Sequence, residues 1–138
     1  MRALGIDLGN KTMGLALSDP TGFLATGLET LRFEQEKFEV PLDYLVRFVD
    51  NNKVDLIVLG LPKNMDGSIG FQGQVVQRFK ELLEPRLAIP IHLWDERLTS
   101  KMAESVMFEA DYSRKKKKVS VDKIAATIIL QSYLDSRK

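Results

Sequence analysis

Apolar and polar positions change period along this chain. Arg2 to Asp7 and Met13 to Ser18 are apolar runs separated by the polar turn Gly9, Asn10, Lys11 and Thr12, a pattern that predicts a hairpin. Gly22 to Phe33 is a candidate third strand. The period then becomes helical: Phe38, Leu42, Leu45, Val46 and Val49 share one face, with Pro41 tolerable in the first turn. "VDLIVLG", Val54 to Gly60, is a short continuous apolar run of the kind covered on both faces in parallel sheets. Val75, Val76, Phe79, Leu82 and Leu83 predict a second helix, and "IPIHLWDE" a strand that starts after Pro90. Met102, Ala103, Val106, Met107 and Ala110 mark a third helix, with Thr99 or Ser100 as its N-cap. Beyond a basic loop, Ser120 is placed to cap a last helix that runs to about Tyr133, with Val121, Ile124, Ala125, Ile128 and Ile129 facing inward.

The element order predicts an α/β fold. Three antiparallel strands are followed by two that must pair in parallel through right-handed helical crossovers, which gives one five-stranded mixed sheet with helices on both faces. At 138 residues, with no internal repeat, the chain is expected to form a single domain over 1–138 with a continuous core.

Composition narrows the setting. There is no cysteine, so disulfides and thiolate metal sites are excluded, which suits a reducing compartment. No apolar stretch approaches a membrane span and no signal peptide pattern opens the chain, so a cytoplasmic protein without membrane contact is expected. The formal net charge of +1 conceals an asymmetry: residues 1–111 hold 12 Lys and Arg against 17 Asp and Glu, whereas residues 112–138 hold 8 against 2. The basic charge centres on "SRKKKKVS", a density that neutralises phosphates well and otherwise reads as a solvated loop.

Three carboxylates occupy positions that such a sheet would draw together. Asp7 ends the first strand, where an ionised group is costly unless paired, hydrogen-bonded or bound to a metal. Glu96 stands at the carboxyl end of the last strand, where ligands collect in open α/β sheets. Asp122 falls in the first turn expected of the final helix, whose dipole favours the anion. Three converging anions repel one another, and a divalent cation with hard oxygen ligands, Mg²⁺ or Mn²⁺, resolves the repulsion. Plainer roles exist: Asp7 could cap the following turn, and Asp122 could merely favour its helix end. Asp95 and Glu96 point to opposite faces if the strand continues through both, so at most one of them serves the site.

"GIDLGNKTMGLALSD", "VLGLPKNMDGSIG", "DERLTS" and "KKVSVDKIAATIILQSYL", in this order and spacing, closely resemble the YqgF family of Holliday-junction-resolvase-like nucleases, over nearly the whole chain. The resemblance implies an RNase H-like fold and a metal-dependent nuclease whose acidic cluster is Asp7, Glu96 and Asp122, acting as both catalytic residues and ligands of Mg²⁺ or Mn²⁺. It also implies work on structured RNA, the 5′ end of pre-16S ribosomal RNA, with the small ribosomal subunit as a partner. An older assignment by similarity to RuvC makes such proteins resolvases of branched, four-way DNA. RNase H-like nucleases usually present four carboxylates; Asp95 and Asp66 are both candidates for the fourth here, and the number of metal ions stays open with that choice.

Basic residues flank the acidic trio. Lys11, Lys63, Asn64, Arg97, Lys101, Lys115, Lys116, Lys117 and Lys118 are the expected nucleic-acid contacts, directed at backbone phosphates rather than bases. "GLPKNMDGSIG" has no secondary-structure pattern and is the candidate substrate loop. His92 and Trp94 read as packing residues. The first block also looks like the phosphate-binding turn of the actin, Hsp70 and sugar-kinase superfamily, but those proteins bind nucleotide between two domains and this chain has the length of one. A non-catalytic RNA-binding module is the other rival, and it would be expected to have lost part of the acidic trio. No heptad seam or exposed apolar stripe announces a dimer, and the oligomeric state is left open.

Overall fold

Side-chain size alternates along the two central strands. In "ALGIDL" and "TMGLALS", leucine, isoleucine and methionine fall on one side of the pleat and Ala3, Gly5, Gly14, Ala16 and Ser18 on the other. The computed structural model, which describes residues 1–99 and 114–137 and, in the second stretch, side chains from position 124, shows what that alternation is for. Strands β1 (Ala3–Leu8), β2 (Thr12–Ser18), β3 (Ala25–Arg32), β4 (Leu56–Leu61) and β5 (Ile91–Asp95) form one sheet in the order β3-β2-β1-β4-β5. β1 pairs antiparallel with β2 and β2 with β3, while β1–β4 and β4–β5 are parallel. Strand types, order and sense are those expected from the sequence.

The large-residue face is covered by α1 (Glu39–Asn51) and α2 (Phe71–Leu83). Leu4, Ile6, Leu8, Met13, Leu15, Ile57 and Leu59 pack there against Leu42, Leu45, Val49, Val76, Phe79 and Leu83. Pro41 falls in the first turn of α1, where its missing N–H costs no helical bond. The small-residue face takes the long helix α3 (Arg114–Ser136), through Ala126, Ile129, Leu130, Tyr133 and Leu134. An ideal Cβ on Gly5 would lie 2.6 Å from Leu130 Cβ and 3.0 Å from the Ala126 carbonyl oxygen, so this helix lies almost on the strand backbone. On the edge strand β5, Tyr133 stacks on exposed His92 at 5.8 Å between ring centroids and meets half-buried Trp94 edge-on at 5.7 Å, so both rings pack against α3 from the sheet edge rather than within the core.

Two expectations are corrected. The final helix begins at Arg114 rather than at a Ser120 cap, so the lysine run lies within it and Asp122 is not in its first turn. Arg and Lys are good helix formers, and no Gly or Pro interrupts "RKKKKVSVDKIAATIILQSYLDS". The buried stripe is also displaced: Ala126 is fully buried whereas Ile124 and Ala125 are half-buried. The third helix expected over Met102 to Ala110 and its Ser100 cap lie outside the described residues; Thr99 closes a 3₁₀ turn (Glu96–Thr99), its hydroxyl donating to the Glu96 carbonyl at 2.7 Å. Among the described residues no helix is long and apolar enough to cross a membrane.

Because Gly5 is where helix and sheet approach most closely, Gly5→Ala is expected to displace α3 and to cost about 1–3 kcal/mol of stability, the usual range for overpacking. Urea denaturation of the two proteins measures this directly.

Candidate active site

The alternation that puts Ala3 and Gly5 beneath α3 puts Asp7 on the same side, half-buried, with Gly14 as its partner across the hairpin. Neither that glycine nor Gly60 on β4 projects a side chain into the space beside Asp7. Gly60 is two residues beyond Val58, which packs under α3, and so shares this face. A Cβ there would lie 3.3 Å from both Cγ and Cδ of Glu96 and 2.6 Å from Ile129 Cδ1. The Glu96 side chain therefore lies across Gly60, between the sheet and α3. The 3₁₀ turn that follows β5 brings it there.

The electrostatics follow from that placement. Burial, and then the neighbouring charges of Asp7 and Asp95, push the Glu96 carboxyl up to about 7. A half-buried carboxylate on a rigid strand and a second one raised by its charge are hard oxygen donors that gain by sharing a cation. The residues present thus fit a divalent metal, with glycine on both sides leaving room for it. Among the described residues no group of three His, Cys, Asp or Glu is assembled; the Asp122 side chain lies outside them.

Asp95, the last residue of β5, takes the opposite side; the strand does not continue through Glu96, and the 3₁₀ turn rather than strand alternation separates the two acids. Its carboxylate accepts from the Arg97 backbone N–H at 2.9 Å and from the guanidinium at 2.8, 3.1 and 3.2 Å, and the Lys63 ammonium stands 3.9 Å away. These partners hold Asp95 well below the usual carboxylate range, Arg97 first among them. Asp66, the other candidate for a fourth carboxylate, is turned into its own loop, where it accepts from the Ser68 backbone N–H at 2.9 Å and from its hydroxyl at 2.6 Å.

That loop is more ordered than its sequence suggests. Between β4 and α2, the Asn64 N–H donates to the Ser68 carbonyl at 2.9 Å, the Gly67 N–H to the Asn64 carbonyl at 2.8 Å, and the Asn64 amide to the Ser68 hydroxyl at 2.9 Å. Gly67 has φ +90°, a conformation that requires glycine. The structure brings Lys63 and Arg97 together at Asp95, on the side of β5 opposite Glu96, with Asn64 bonded within the adjoining loop, while Lys11 stands exposed on the β1–β2 turn. The side chains of Lys101, Lys115, Lys116, Lys117 and Lys118 lie outside the described residues. Sequence reasoning missed the role of Gly60, whose signal was a glycine next to the end of an otherwise bulky apolar strand.

A five-stranded mixed sheet of this order, with helices on both faces, is the RNase H-like fold. A family model described as "RuvX: Holliday junction resolvase" matches residues 1–136, and the chain belongs to that family. It is 49% identical over 138 residues to a protein of Geobacillus sp., covering all of both chains, and 54% identical over 136 residues to one of Clostridium acetobutylicum, covering 99% of each; both are provisionally named pre-16S rRNA nuclease. Among solved structures, Thermus thermophilus RuvC in complex with a Holliday junction substrate superposes with TM-score 0.63 at 9% identity, covering 99% of this chain and 95% of that one. Fowlpox virus resolvase, also with Holliday junction DNA, gives 0.59 at 14% identity, covering 99% of each chain. At these identities the structural matches show the shared fold.

Because Glu96 is raised from 4.5 to about 7, the folded state holds a proton there that the unfolded chain releases. Metal-free protein in EDTA should therefore lose stability as pH rises between these values, by at most about 3–4 kcal/mol at 1.4 kcal/mol per pH unit. Glu96→Gln should flatten that part of the profile, as followed by thermal melts across the pH range.

Proposed function

We propose that this protein is a metal-dependent endonuclease, a single domain over residues 1–138 that hydrolyses phosphodiester bonds in structured nucleic acid, and that its substrate is the 5′ end of pre-16S rRNA. The observation that supports this most is the pairing of Asp7 and Glu96 on the α3 side of the sheet, with the Glu96 proton affinity raised by burial and by the Asp7 charge. Substrate class rests on the relatives at about half identity over essentially full length, whose names specify pre-16S rRNA.

Asp7, Glu96 and Asp122 would hold Mg²⁺ or Mn²⁺. Position 122 lies on α3 four and seven residues before Ala126 and Ile129, a spacing that keeps it on the stripe of the helix that meets Gly5 and Gly60. When bound, the metal supplies a water of lowered pKa and charge neutralisation at the scissile phosphate. The chain itself orients and excludes. Asp7 is carried by a strand paired on both sides, which fixes its backbone position. Glu96 is confined between Gly60 and Ile129, and with a proton affinity near neutrality it can hold or release a proton at its carboxyl oxygen as the cation and substrate come and go. Lys63 and Arg97 stand ready for backbone phosphates at the loop side, and the run Lys115, Lys116, Lys117 and Lys118 would supply further phosphate contacts.

The second reading is action on branched DNA, favoured by the description of the matching family. One experiment separates the two: labelled RNA spanning a 16S precursor 5′ end and a four-way DNA junction are each incubated with Mg²⁺, Mn²⁺ or EDTA. Metal-dependent RNA cleavage is expected, abolished in a folded Asp7→Asn protein. Junction cleavage alone would replace the RNA reading, and undiminished cleavage by Asp7→Asn would remove the metal site from Asp7. Replacing Lys115, Lys116, Lys117 and Lys118 by alanine should flatten the dependence of log affinity on log salt by about 3, since each phosphate no longer neutralised lowers the slope by roughly 0.7–0.9. An unaltered slope would mean that the run does not touch the nucleic acid.

A further inference from the structure

We propose that Asp95 is a positioning residue: from the side of β5 opposite Glu96, its carboxylate holds Arg97 and Lys63 as a fixed pair for substrate phosphates and, through Arg97, tethers the 62–70 loop. The inference rests on the nuclease reading for its substrate, but the clip itself is a matter of geometry.

Both carboxylate oxygens are engaged. Oδ1 accepts from the Arg97 backbone N–H and Nε, and Oδ2 accepts from Nε and Nη2 and lies 3.9 Å from the Lys63 ammonium. Such a two-pronged pair fixes the plane of the guanidinium as well as its distance. Arg97 Nη1 reaches the Met65 carbonyl at 3.4 Å, and a Cβ on Gly67 would meet the same nitrogen at 3.4 Å, so the guanidinium lies along the loop. The anion is the inner member of the cluster: its side chain is 19% exposed, against 28% for Lys63 and 37% for Arg97. The cationic ends therefore lie outermost, and with Asp66, whose charge also acts on Arg97, the cluster of Lys63, Arg97, Asp95 and Asp66 is formally neutral. The same Arg97 N–H bond closes the turn that carries Glu96, so Asp95 sets the loop and the turn together.

The charge arithmetic separates this role from that of a metal ligand or a simple anchor. Asp95→Asn keeps an oxygen for the Arg97 backbone N–H but removes one negative charge, which leaves the cluster with a net charge of +1 towards a polyanion. Its affinity for nucleic acid is expected to rise, with a salt slope steeper by about 1. Cleavage should nevertheless fall, because the phosphate is no longer held in register: kcat lower by about tenfold or more, with KM not raised. The metal concentration for half-maximal cleavage should not change. Amide exchange at 64–68 should accelerate, and Asp95→Glu should restore part of both the protection and the rate.

A shifted metal requirement would make Asp95 a ligand and overturn the proposal. So would unchanged kcat, or unchanged exchange in a folded Asp95→Asn protein. If the wild-type protein cleaves neither RNA nor junction, the nuclease reading falls. The clip is then decided by loop exchange and the salt slope alone: a change in both supports it, and the absence of either change refutes it.

Discussion

The rest of the structure depends on how closely α3 lies against the sheet. Ordinary helix-on-sheet packing keeps a layer of side chains between backbones. Here Gly5 and Gly60 remove that layer at two points, and the buried stripe of α3 descends onto β1 and β4. The close approach leaves a shallow, glycine-floored space on the α3 side of the sheet beside Asp7, where Glu96 can lie flat. A larger residue at either glycine would lift the helix and displace the carboxylate with it.

That geometry explains the electrostatics. A carboxyl group under a helix, beside a second carboxylate, is driven towards its neutral form, first by burial and then by the neighbouring negative charges. A divalent cation relieves both burial and repulsion at once. On the far side of β5 the logic is reversed: Asp95 is surrounded by cations and kept ionised. Two adjacent acids in "DER" thus have opposite environments because β5 ends at Asp95 and the 3₁₀ turn that begins at Glu96 carries the second acid to the other side.

Much of this was legible in the sequence. Periods of two and of 3.6 residues marked the strands and helices, and the crossover rule ordered the sheet. Asp7, Glu96, Lys63 and Arg97 stood out as candidates because charged residues at strand ends and in a glycine-rich loop have no place in a core. Other features were not legible. The small-large alternation of β1 and β2 is visible in retrospect, but a run of Gly and Ala reads locally as weak strand rather than as a helix seat. The start of α3 was obscured because four consecutive lysines read as a solvated loop, although each is a good helix former.

The sequence by itself determined the strands, their order, the acids at their ends and the uneven placement of positive charge, because these follow from local periodicity and chain connectivity. The tertiary structure alone decided which acids share a space. A strand pattern says that Asp95 and Glu96 diverge, but not which of them turns towards Asp7. That depends on the glycine opposite, the helix above and the arginine that claims the other acid, and most of these neighbours are distant from Glu96 in the chain.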